Sequence, residues 1–288
     1  MTASRAIDAS YADAPAAARS FVDARLASRA LPGFPGPPPL DLAQGYAVQE
    51  IAIGAWPDTV AGWKIGRVPP AAVARVGADR LAGPVFNRSI QIVDWDGQGV
   101  FPAIDGGFAA IEGEFVYRLA RDAPADQLTW TPEAALELVA ALHVGIELAG
   151  SPMAMINDLG PAVVASDFGN NAGLILGPEI PGWRDRADGD LVCEALVGGR
   201  SVGVGAAASL LGGPAGCLAF LAELCAARGR PLKAGQLVTT GQITGIHDVR
   251  PGDVARVDFK GLGSIGCTVE HSRPPQGSMG DGDGERGP

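Results

Sequence analysis

Apolar positions along the chain change their pattern near residue 60. From Ser10 to Ala30 an alanine-rich stretch sets Ala18, Phe21, Val22, Ala24 and Leu26 in an imperfect stripe of helical spacing. The run from Leu31 to Pro39 holds five prolines and ends that helix, and Leu40 to Ala55 reads as a second one. From about Val60 onward short apolar runs alternate with Gly and Pro, the pattern of strands joined by turns. Two helices interrupt them. The first opens with Thr131 as N-cap and Pro132 in its first turn, and the second runs from about Pro214 to Arg228 and stops at Gly229. From Ser272 the chain holds Pro274, Pro275 and Gly-Asp repeats with almost no apolar residue, so a disordered tail over 272–288 is expected. No internal repeat is present.

Two of the strand patterns carry acids. In the strand around Glu112 and Glu114 the period of two sends both carboxylates to one face and Phe115, Tyr117 and Leu119 to the other. In Val144–Leu148 the apolar Val144, Ile146 and Leu148 share a face, and Glu147 shares the opposite one with Gly145 and Ala149. A lone acid between two minimal side chains suits a concave, ligand-admitting surface. Adjacent carboxylates repel and raise each other's pKa, so a buried set is costly unless a divalent ion lies between them. Three oxygen ligands from two strands suit Mg²⁺ or Mn²⁺, which keep positions open for water or a chelating substrate. The other reading of Glu112 and Glu114 alone is a solvated strand face.

Composition narrows the partners. The 288 residues are 47% hydrophobic, enough to bury a core, with a net charge of −10 that argues against nucleic acid and acidic membrane surfaces. No apolar run reaches the roughly 20 residues of a membrane span. The start, Met1 to Asp8, lacks the basic and apolar regions of a secretory leader, so a cytoplasmic location is expected. Cys193, Cys217, Cys225 and Cys267 are scattered in apolar surroundings and read as buried free thiols. The three histidines, His143, His247 and His271, show no metal spacing, and His143 reads as a strand-entry residue.

The motifs occur in a familiar order. Gly62-Trp63-Lys64-Ile65-Gly66, the strand of Glu112 and Glu114, Glu147, the loop from Ala165 to Gly173, and Leu237-Val238-Thr239-Thr240-Gly241 follow one another as in the fumarylacetoacetate hydrolase superfamily. The chain resembles its 2-keto-4-pentenoate hydratase and 4-oxalocrotonate decarboxylase branch over about Leu40 to Val269. Gly45-Tyr46-Ala47-Val48-Gln49 is similar to that branch's N-terminal helix. The resemblance implies an α/β fold: a mixed, largely antiparallel β-roll preceded by helices. It also implies a single catalytic domain over 1–271, helical in 1–59 and a β-roll in 60–271.

The same resemblance makes Glu112, Glu114 and Glu147 the metal ligands and Lys64 the principal acid and base. An amine beside a cation in a poorly solvated pocket would have a depressed pKa suited to proton transfer; from the residues alone, Lys64 also reads as a surface lysine. Asp167 and Asn171 are carried over as groups that orient water or ligands in the catalytic site. Arg67 is a candidate for a substrate carboxylate, and Thr240 and Gly241 for hydroxyl and backbone donors to the substrate. The implied reaction adds water to a 2-hydroxy-2,4-dienoate, giving a 4-hydroxy-2-oxo acid in aromatic catabolism. A 4-oxalocrotonate-type decarboxylase and a non-catalytic partner in a hydratase–decarboxylase complex are the alternatives. Members that hydrolyse a C–C bond use a His-Glu pair before the lysine motif, whereas no histidine precedes His143 here. Two stretches depart from the hydratase pattern: Arg67-Val68-Pro69-Pro70 replaces a polar stretch, and Leu81-Ala82-Gly83-Pro84-Val85-Phe86 lacks an acidic residue. Exposed roll edges point to a homo-oligomer.

Overall fold

A computed structural model describes residues 11–274. Two helices come first. Helix α1 (Ala14–Leu26) buries Ala17, Ala18, Phe21, Val22 and Ala24, and α2 (Leu42–Ala55) starts where the Asp41 carboxylate accepts a hydrogen bond from the Gln44 N–H at 2.9 Å. Then come β1 (Val60–Arg67), α3 (Pro70–Val76), β2 (Arg80–Phe86), β3 (Ile90–Ile92), β4 (Gln98–Ala103), β5 (Phe108–Leu119), α4 (Pro132–Leu136) and β6 (Val139–Ser151). The chain continues through α5 (Pro161–Ser166), β7 (Asn171–Glu179), β8 (Val192–Val197), β9 (Arg200–Ala206) and α6 (Gly213–Ala227). It finishes with β10 (Leu237–Thr239), β11 (His247–Asp248), β12 (Val254–Phe259) and β13 (Gly263–His271).

The strands form two curled sheets. One runs β2-β1-β10-β5-β6-β7-β3, with β11 added beside β5, and the other runs β4-β13-β12-β8-β9. Neighbours are antiparallel except where β1 meets β10, β3 meets β7 and β13 meets β4. This is the α/β, largely antiparallel β-roll expected from the sequence. The sheets meet through the odd-numbered face of β5: Phe115 packs edge-on against Phe259 of β12 at 5.6 Å, and Val257 lies against Gly113. Each fully buried side chain of this size contributes roughly 1.5–3 kcal/mol. One core cluster spans both sheets and reaches from Ala14 in α1 to Val269 in β13. The odd face of β5 is therefore consumed by the core, and Glu112 and Glu114 are left on the other side.

Several expectations need correction. Among the described residues four helices, not two, interrupt the strands. All six residues of α5 are buried, so no polar face marks it as a helix. Helix α3 starts at Pro70, in the stretch read above as a loss of polar groups, and ends at Gly77 with φ of 77°. His143 lies inside β6, not at its entrance, and its Nδ1 sits 3.0 Å from the Gly177 carbonyl. Gly145 does not open a concavity: a Cβ there would meet Val116 Cγ2 at 2.6 Å, so its missing side chain admits Val116.

The four cysteines are buried and free, and burial pushes the Cys225 thiol up to about 12. No helix among the described residues is long and apolar enough to cross a membrane. The tail expected from Ser272 lies, from 275 onward, outside the described residues, as does the start considered for a leader. Ser272 itself is held by its N–H on the Ala103 carbonyl and by Ser28, whose hydroxyl lies 2.8 Å from its own.

Candidate metal centre

Strand pairing assembles the site. Strands β5 and β6 pair with Glu112 directly opposite Glu147, while β10 lies between β1 and β5 and sets Thr239 beside both Lys64 and Val116. The three carboxylates are thereby brought together, each offering an oxygen within 4.8 Å of the others. All three are buried. One oxygen each of Glu114 and Glu147 is held by the protein: Gly241 N–H donates to Glu114 Oε2 at 2.9 Å, and Asn171 Nδ2 donates to Glu147 Oε1 at 3.0 Å. The remaining oxygens, Glu114 Oε1 and Glu147 Oε2, are buried with no hydrogen-bond partner. Unpartnered buried carboxylate oxygens are costly. A hard divalent cation takes this donor set, so the residues fit a metal of the magnesium type.

The electrostatics point the same way. Burial, partly relieved by Lys64 and reinforced by Glu147, pushes the Glu112 carboxyl up to about 8. Burial together with Glu147 and Glu112 holds Glu114 well above the usual carboxylate range.

Lys64 is buried and is not a surface lysine. Its Nζ lies 3.3 Å from Glu147 Oε1 and 3.4 Å from Asn170 Oδ1. Burial alone lowers its pKa, but Glu147, Glu112 and Glu114 together outweigh burial and raise it. The depressed value expected from the sequence needs a neighbouring cation; the carboxylates by themselves do the reverse. Lys64, Glu112, Asn170, Gln242 and Arg67 line one cavity of about 370 Å³, a volume that suits a small organic acid. Of the three carboxylates, Glu112 is the one that lines it.

The other candidates divide. Asn171 is in place on Glu147, and Arg67 lines the cavity with its side chain exposed to solvent. Asp167 points elsewhere: its carboxylate accepts from Arg25 Nε at 2.6 Å and Ser151 Oγ at 2.6 Å, so it is not available to orient water at the lysine. Thr240 donates its hydroxyl to the Phe115 carbonyl at 2.9 Å, and the Gly241 N–H serves Glu114, so neither presents that donor to a substrate. Sequence reasoning missed Asn170, Gln242 and Arg25. Asn170 stood beside a chosen residue in a tandem Asn-Asn. Gln242 follows the Thr-Gly turn, and its Oε1 is buried without a partner.

Comparison with known proteins gives the family and the fold. The family model described as fumarylacetoacetate (FAA) hydrolase C-terminal matches residues 84–270. The chain is 27% identical over 245 residues to a 2-keto-4-pentenoate hydratase of Paraburkholderia xenovorans (strain LB400), covering 82% of this chain and 87% of that one. It is 25% identical over 259 residues to a 4-oxalocrotonate decarboxylase of a Pseudomonas species, covering 89% and 98%. Among solved structures, the 4-oxalocrotonate decarboxylase from Pseudomonas putida G7 complexed with magnesium and adipate superposes with a TM-score of 0.74 at 23% identity. That match covers 89% of this chain and 97% of that one.

Proposed function

Since the chain belongs to the fumarylacetoacetate hydrolase family, and within it to the enzymes of the hydratase–decarboxylase branch, we propose that it is a metal-dependent hydratase. Its substrate would be a 2-hydroxy-2,4-dienoate of the 2-keto-4-pentenoate type, with Mg²⁺ or Mn²⁺ held by Glu112, Glu114 and Glu147. The observation that carries this reading is the position of Lys64: a buried ammonium, fixed between Glu147 and Asn170, on the wall of the cavity that reaches Glu112. A bound ion would supply the Lewis acid that holds a C1 carboxylate and C2 oxygen and stabilises negative charge developing there.

The chain's own groups do the rest. Lys64 delivers a proton to C5 of the dienoate as its 2-hydroxyl proton is lost, which gives a 2-oxo-3-enoate. Water then adds its oxygen to C4 and a proton enters C3, giving the 4-hydroxy-2-oxo acid with one water gained. Asn170 limits the positions the ammonium can take, and Asn171 and Gly241 hold Glu147 and Glu114 in place. Gln242 lines the same cavity, and its side-chain oxygen is buried without a partner.

The cavity wall favours hydration over decarboxylation. Leu81, Phe108 and Val164 make it apolar away from Glu112, and Asp248 opposes a second carboxylate. Arg67 is the observation in favour of the decarboxylase alternative, since it is the one cation besides Lys64 on that wall among the described residues. The continuous core from α1 to β13 supports a single catalytic unit over 1–271. Edge strand β9, with Val202 and Val204 exposed, supports association with a second copy or with a related decarboxylase or hydratase.

The test is to supply the metal-loaded protein with 2-hydroxypenta-2,4-dienoate and, separately, with 4-oxalocrotonate, and to follow both by NMR in deuterated water. Hydration predicts a 4-hydroxy-2-oxo acid carrying solvent deuterium from the first substrate. Carbon dioxide release from the second alone would favour the decarboxylase, and no change in either would leave the non-catalytic partner.

A further inference from the structure

Three consecutive residues, Phe168, Gly169 and Asn170, have φ values of 54°, 63° and 55°. Only the middle one is glycine. A bulky side chain in the left-handed region is sterically disfavoured and persists where its surroundings fix it, often beside a functional site. Here the surroundings are specific. The Phe168 ring lies edge-on to Trp56 at 5.6 Å and Phe86 at 4.9 Å. Asp167, just before the turn, is fully buried and accepts from Arg25 Nε at 2.6 Å and Nη2 at 3.0 Å, a two-pronged pair. The same Nη2 donates to the Gly150 carbonyl of β6 at 2.8 Å, and the guanidinium carbon lies 5.3 Å from the centre of the Phe168 ring. Asn170, the last residue of the turn, meets Lys64, and Asn171 directly after it meets Glu147.

We propose that Arg25, on the N-terminal helix α1, is a positioning residue for the metal–lysine site. It ties the left-handed turn 168–170 to β6 and so sets where Asn170 holds Lys64 and where Asn171 holds Glu147. It acts through Asp167 and touches neither Lys64 nor the carboxylate cluster. This helix lies before the segment matched by the family model, so the N-terminal region is part of the working site and not only a cover for the sheet. The proposal rests on the functional reading for its kinetic readout alone.

Removing Arg25 by itself would strand a buried carboxylate and could unfold the chain. The test therefore uses Arg25→Met combined with Asp167→Leu, which removes both charges and keeps apolar volume, alongside Arg25→Lys, which keeps charge without the planar fork. In the double variant, hydrogen exchange is expected to stay at wild-type protection in α6 and β6 and to rise about tenfold or more over 167–171. Mn²⁺ affinity by calorimetry should fall about tenfold, the usual scale for groups that orient metal ligands. With dienoate, kcat should fall about tenfold with little change in KM, and adding Asn170→Ala should cost little more, because both changes remove one interaction. Arg25→Lys should lie between. Wild-type exchange over 167–171 with wild-type Mn²⁺ affinity would overturn the proposal, as would a kcat loss fully additive with Asn170→Ala. If the wild-type protein consumes no dienoate, the functional reading fails, while the exchange and Mn²⁺ measurements still decide the role of Arg25.

Discussion

Glu112 and Glu147 stand directly opposite each other on β5 and β6, at 2% and 0% exposure. Like charges in that register repel, and Glu114, two residues along the same face, adds a third acid. The arrangement is tolerable with protons or a cation between the carboxylates.

Metal should therefore stabilise the folded chain. At a free Mn²⁺ concentration a hundredfold above its Kd, the gain is about 2.7 kcal/mol, which corresponds to a rise in Tm on the order of 5 °C for a chain of this size. Glu114→Gln should weaken Mn²⁺ binding by about a hundredfold and abolish most of that rise. Calorimetric titration and thermal melts check it; unchanged Mn²⁺ affinity would remove Glu114 from the ligands.

Glu112 makes one contribution to the pH dependence of the metal-free protein, beside that of Glu114. Its carboxyl is raised from 4.5 to about 8, so between those values the folded state holds a proton that the unfolded state has lost. Stability from this group is present below about 4.5 and declines as pH rises towards about 8, by on the order of 1.4 kcal/mol per pH unit. Lys64 is raised above its ordinary 10.5, so its own contribution is lost only above that value, outside this window. Metal-free Glu112→Gln should match the wild type near pH 5 and exceed it in urea denaturation near pH 8. Mn²⁺ affinity of the wild type should rise with pH over the same range, because the ion displaces the proton.

The carboxylate cluster was legible because strand parity is a local property: Glu112, Glu114 and the opposed Phe115 and Tyr117 need only a period of two to be sorted. Lys64 came from its ordered motif, since a lysine flanked by Trp63 and Ile65 reads by itself as a surface residue. The loop was the limit. A polar residue near a site looks the same whether it faces the cavity or is bound by an arginine 142 positions earlier, as Asp167 is by Arg25. Likewise, nothing local told that the Gly241 N–H would be spent on Glu114, or that Phe168 and Asn170 would sit at positive φ.

Close backbone approach at Gly83 yields a further prediction. A Cβ there would fall 1.9 Å from the Phe168 carbonyl oxygen, so Gly83→Ala must displace the turn that carries Asn170. We expect a loss of about 1–3 kcal/mol in urea denaturation, the scale of overpacking, accompanied by a fall in kcat. A variant with wild-type stability and turnover would show that the turn has another position equally good for the site.

In the proposed reaction Lys64 moves the proton while Glu112, Glu114 and Glu147 hold the metal. The most direct measurement compares wild type and Lys64→Met for loss of dienoate absorbance with Mn²⁺ present, after calorimetry has established Mn²⁺ and oxalate binding in both. The account predicts that the variant keeps Mn²⁺ and, within a few fold, oxalate, while turnover falls by about 10²-fold or more, the usual scale for a positioned acid or base. Near-normal turnover by Lys64→Met would contradict it.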